Sequence, residues 1–159
     1  MNTRTRIMSG ITALALASGA IIMAPAAQAG SPVASATNTD KQVAKAMNSV
    51  IKFSKQSEKS SKRAATNCMK ISTMDEASKS RTRLVNGTIT LLVSAISSYD
   101  AADDLFAMTP VDYANAKQAA AADKASGFLT SAEVSLDVAF DTCGTIPEIQ
   151  EEFGIGAIG

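Results

Sequence analysis

The sequence predicts an all-α protein, an antiparallel up-down bundle of three long helices with one inter-helix disulfide. Three observations lead there. Between Thr109 and Gly144 apolar residues keep a 4-3-4-3-4 spacing, and two earlier segments each open on a helix-capping sequence. The two cysteines, Cys68 and Cys143, fall at the C-terminal ends of two predicted helices. Five Phe, two Tyr and no Trp leave the packing to alanine-rich seams, which suit thin, close helices.

Taken in order, the chain begins with Arg4 and Arg6 ahead of an apolar run from Ile11 to Ala24, then the small-x-small site Ala27-Gln28-Ala29. This reads as a signal peptide of bacterial style over 1–29, cleaved after Ala29. The run is shorter than the ~20 residues that span a bilayer, and no Cys follows the site to carry a lipid. Residues 30–38 form a Ser- and Ala-rich linker. Thr39 with Gln42 makes a capping box for a first helix from Asp40, whose seam starts with Val43, Met47 and Val50. That seam degrades to Ser54, Ser57 and Ser61, so its middle section is expected to be partly peeled away or mobile.

A second box, Thr73 with Glu76, predicts a helix running to about Met108, with Leu84, Leu92, Ala95, Tyr99, Ala102 and Phe106 on one side. Asn86-Gly87 interrupts it. The dipeptide is a hairpin signal and 88–90 alternates as a strand would, but no other segment offers a strand partner. The expectation is a helix kinked or split at Gly87, a split giving four helices. Asn86-Gly87-Thr88 also matches the N-glycosylation acceptor of a eukaryotic secretory pathway.

Thr109 is placed to cap a third helix beginning at Pro110, with Asp112 three residues after the cap. Its seam is Ala125, Leu129, Ala132, Leu136, Ala139 and Cys143, opposite Asp123, Lys124, Glu133, Asp137 and Asp141. A bend at Gly127 is expected. Gly144 fits the left-handed C′ position, and Pro147 blocks continuation. Thr145 and Glu148 predict one more helical turn to Phe153, and 154–159 is read as a tail. The bundle domain is thus 39–153. A three-helix up-down path brings the ends bearing Cys68 and Cys143 together, so the two are expected to be bonded in an exported protein.

The chemistry is bounded mainly by what is missing. The chain has no histidine, which removes Ser-His-Asp and Cys-His catalysis and His-held zinc or haem. No phosphate-binding Gly loop is present, and paired-carboxylate hydrolysis would need a cleft that a thin bundle lacks. The prediction is a non-catalytic protein without a cofactor. Removing 1–29 takes two of the fifteen basic residues and none of the fifteen acids, a balance of −2 that disfavours nucleic acid.

Charge is segregated. From Lys52 to Arg83 nine basic residues face three acids, and from Tyr99 to Glu152 eleven acids face two lysines. Lys52, Lys55, Lys59 and Lys62 share one helical face. They either pair with the acidic helices, the first expectation, or form a surface for an anionic envelope polymer, lipid or protein. Asp100, Asp103 and Asp104 form an acidic cluster, read as a solvated helix end with adventitious calcium as the alternative. Tyr99, Tyr113, Phe106, Phe128 and Phe140 are expected in the core.

Tyr99-Asp100-Ala101-Ala102-Asp103-Asp104-Leu105, Asp112-Tyr113 with Ala116, and Asp141-Thr142-Cys143 resemble the C-terminal half of the plant invertase and pectin methylesterase inhibitor domain. The resemblance covers about 45 residues. It implies a secreted four-helix bundle that acts by docking on an enzyme. The family's N-terminal cysteine pair has no counterpart here and Cys68 has none there, so no interface residues carry over. Together these readings predict a secreted binding protein that engages a protein partner, inhibition being one version. The alternatives are an envelope-associated protein that binds an anionic polymer or lipid, and a carrier of a small apolar ligand, which the alanine-rich seams oppose.

Overall fold

The computed structural model describes residues 39–154. The expected signal peptide over 1–29, the expected linker over 30–38 and all of the expected tail but Gly154 lie outside these residues. Within them the chain is a helical bundle without strands, its order α1 (Asp40–Ile71), α2 (Lys79–Met108), α3 (Ala116–Cys143) and α4 (Pro147–Phe153).

The capping box at the start of α1 forms as expected. Thr39 Oγ1 accepts from the Gln42 amide at 3.4 Å, and Gln42 Oε1 accepts from the Thr39 amide at 3.0 Å. The helix then runs 32 residues unbroken, about 48 Å at ~1.5 Å per residue. Its serine-rich middle is not peeled away. Ser54, Ser57 and Ser61 are fully buried, in line with Val43, Met47, Val50, Ala64 and Cys68. Small size, not polarity, decides their place: the Ser57 hydroxyl reaches across to donate to the Ala95 carbonyl of α2 at 2.8 Å. Two helices can approach that closely only where small side chains meet.

The second capping box does not form. Thr73 serves the end of α1 instead, its hydroxyl donating to the Lys70 carbonyl at 2.8 Å, and Ser78 caps α2 by accepting from the Ser80 amide. α2 continues through Asn86-Gly87 without a break. Val85, Thr88 and Leu92 recur at helical spacing on the buried side while Asn86 and Gly87 face out, so burial overrides the local turn preference. Thr88 is fully buried, its hydroxyl donating to the Leu84 carbonyl at 2.7 Å.

α3 starts six residues later than expected. Thr109 ends α2, donating its hydroxyl to the Leu105 carbonyl, and Asn115 caps α3 by accepting from the Lys117 amide at 3.0 Å. Tyr113 therefore lies in the connecting turn, 65% exposed, and not in the core. The helix is continuous through Gly127. Gly144 is right-handed, φ −66°, and not the left-handed stop; a Cβ there would make a tight contact, 3.0 Å from the Phe140 carbonyl oxygen. Pro147 opens α4, and the left-handed stop falls at Gly154, φ 61°.

α1 is the hub. α2 and α3 pack along its whole length and touch each other much less, and α4 closes one end against α2. Two apolar clusters result. One joins Ala64, Cys68, Ile71, Val85, Leu92, Ala139, Cys143, Ile146 and Ile149; the other joins Val43, Met47, Val50, Ala102, Ala122 and Ala125. Between them lies a waist of small residues, Ser54, Ser57 and Ser61 with Ala95, Ser98 and Ala132. The Cys68–Cys143 disulfide bonds the ends of α1 and α3, Cα atoms 5.2 Å apart.

Candidate functional site

Burying one stripe of α1 fixes what its opposite side shows. Lys52, Lys55, Lys59 and Lys62 are all exposed there on one face. The same face carries Lys41, Lys45, Arg63 and Lys70, also exposed, so the basic surface runs the length of the helix. Lys41 and Lys45 were missed because the charge balance was taken from Lys52 onward. Extending the same three- and four-residue steps toward the N-terminus would have found them. Asp40 and Glu58 are the only acids on α1.

Two of the eight cations are tied down locally. Lys62 donates to Glu58 one turn back, and the Lys55 ammonium sits 4.7 Å from the centre of the Phe128 ring on α3. Phe128 is half-buried and works as a shelf for a lysine as well as a core residue. Among the described residues the inter-helix ion pair joins α2 to α4: Arg81 and Glu148 are held by a two-pronged contact, one arm 3.2 Å. That contact explains how Arg81, a residue with no expected role, comes to be 6% exposed. It also holds the Glu148 carboxyl below the usual range, the hydrogen bond from Arg81 being the main cause. The cations of α1 are thus exposed along its outer side, with Lys55 seated on Phe128 of α3.

The acidic residues lie elsewhere. Asp103 and Asp104 are exposed near the end of α2, and Asp100 is pushed up by partial burial first and then by Asp104 and Asp103. No three carboxylates among the described residues are arranged to hold a metal ion. Asp40 has a structural role at the start of α1. It accepts from Gln118 Nε2 at 3.1 Å and Asn115 Nδ2 at 2.7 Å, and these bonds, Gln118 first, with the Lys117 charge lower its pKa.

A second exposed feature sits at the α2–α3 turn. Met108 is 73% exposed and Tyr113 65%, two of the few large apolar side chains left in solvent, with Asp103 and Asp104 beside them in sequence. No helix among the described residues is long and apolar enough to cross a membrane. No protein-family model, curated protein or solved structure matches the chain.

Proposed function

We propose that this is an exported, non-catalytic binding protein whose working surface is the outer face of α1, held against an anionic component of the cell envelope. The observation that carries this is eight exposed cations along one side of one helix, with Glu58 as the one acid among them. Like charges in a row repel one another, and leaving them in solvent costs helix stability unless an anion offsets it. The disulfide fits an oxidising compartment. The reading predicts that changing Lys52, Lys55, Lys59 and Lys62 to Gln releases the exported protein from the envelope fraction. Added salt should do the same, since at ~0.15 M the screening length is already about 8 Å. Retention that survives both treatments would refute it.

The exposed Met108 and Tyr113 favour a second reading, a protein-docking site at the α2–α3 turn. Enzyme inhibition is one version of that reading. Here Met108→Ala with Tyr113→Ala should abolish partner binding while the lysine changes leave it intact.

A further inference from the structure

We infer that the occupant of the α1 face is a linear phosphodiester polymer of polyol or sugar units lying along the helix, not a lipid surface. This rests on the reading of that face as the working surface and specifies its ligand. Six of the cations, Lys41, Lys45, Lys52, Lys59, Arg63 and Lys70, fall close to a single line opposite the buried stripe. Their steps of four or seven residues correspond to about 6 or 10 Å along the axis, and the line spans about 43 Å. A polymer with one charge per polyol or sugar unit can meet such a row repeatedly.

Three further features choose among polyanions. The positions between the cations carry Asn48 and Gln56, both exposed, whose amides can hydrogen-bond the hydroxyls that separate the phosphates. Seven of the eight cations are lysine, a mobile point charge that can follow a flexible chain of phosphates without the fixed fork geometry of arginine. The face also lacks what the competing ligands need. Its large exposed apolar residue is Met69 alone, near the helix end, so nothing along the line can enter a bilayer's acyl boundary. Phe53, the single aromatic of α1, packs against the core, and the neighbouring Phe128 ring is covered by Lys55, so neither is a free stacking platform for bases.

The test measures binding of the exported, disulfide-intact protein to four probes: poly(glycerol phosphate), vesicles of equimolar phosphatidylglycerol and phosphatidylcholine, polygalacturonate, and single-stranded DNA. The expected result is tightest binding to poly(glycerol phosphate). Lys45→Gln, Lys52→Gln, Lys59→Gln and Arg63→Gln together should weaken it at least tenfold. They should also shallow the log affinity–log salt slope by about 3, at ~0.7 per neutralised charge. Arg83→Gln with Lys124→Gln, off the line, should leave affinity within about twofold. Circular dichroism confirms that both variants stay folded. Equal or tighter binding to vesicles, polygalacturonate or DNA would overturn the polymer assignment while sparing the α1 surface. Failure to bind any probe would overturn both.

Discussion

The two ends of the bundle hold the same helices together by different means. At one end four elements converge on a disulfide: Ile146 and Ile149 of the last turn are buried over it, Phe153 meets Phe140 edge-to-face, and Arg81 grips Glu148. At the other, three helices meet through Met47, two valines and three alanines, and Asp40 ties the start of α1 to Asn115 and Gln118 by hydrogen bonds. The first end is covalently closed and capped. Among the described residues no further element covers the second, open end, and the exposed Met108 and Tyr113 lie on the turn that joins α2 to α3 there. Stability is therefore concentrated at the end far from that turn, while the basic face of α1 runs past both.

The largest expected effect comes from removing the covalent closure. Cys68 and Cys143 enclose a separation of 75 residues, for which loop-closure entropy gives about 4 kcal/mol. Changing both to Ser should lower the unfolding free energy by about that amount in a urea titration. A loss under about 1 kcal/mol would show that α4 and the apolar cluster close this end by themselves.

Core truncations sharpen the contrast. Leu92 and Met47 are both buried to within 1%. Leu92→Ala should cost about 3 kcal/mol, because the disulfide and α4 prevent the site from collapsing. Met47→Ala, at the end free to relax, should cost about 2 kcal/mol. The reverse order in denaturant titrations would identify the open end as the tighter one.

The architecture was legible because long-range and local signals agreed: helical periodicity, a capping box that forms at Thr39, and cysteines placed at helix ends. It was illegible where two local signals competed for one residue. Thr73 and Thr109 are good N-caps by type, but each hydroxyl is taken by a carbonyl of the helix before it, and Ser78 and Asn115 cap instead. Asn86-Gly87 carries a turn preference that the burial of Val85, Thr88 and Leu92 outweighs. Half of the basic face was visible as Lys52, Lys55, Lys59 and Lys62. That it points to solvent depends on where the acidic helices pack, which charge counting does not reveal.

The waist between the two ends misled for a related reason, since serine reads as surface and here is core. Its three hydroxyls are not equivalent. Ser57 bonds the Ala95 carbonyl, whereas Ser54 and Ser61 have buried hydroxyl oxygens with no partner. Ser57→Ala should therefore destabilise by about 1 kcal/mol, and Ser54→Ala or Ser61→Ala should stabilise by up to about 1 kcal/mol. If all three destabilise alike, the two orphan hydroxyls bind buried water, and the waist is a third cohesive layer joining the ends.

The smallest effect is electrostatic and has opposite signs at the two ends. Asp100, toward the open end of α2, is raised by partial burial and then by Asp104 and Asp103; Glu148, at the closed end, is lowered by Arg81. A carboxyl raised in the folded state binds its proton more readily there, so falling pH through that value adds stability. A lowered one contributes stability above its unfolded value, and that contribution is lost as pH falls through the folded one. At neutral pH Asp100→Asn should thus stabilise by a few tenths of a kcal/mol, the group being largely solvent-screened. Glu148→Gln should destabilise under the same conditions, and Arg81 would keep a buried charge without its partner. Both differences should vanish in melts run below the carboxylate range, where the wild-type groups are protonated. Stabilisation by Glu148→Gln at neutral pH would mean that the Arg81 contact costs more in desolvation than it returns, and the closed end would then owe its strength to the disulfide and its apolar cover alone.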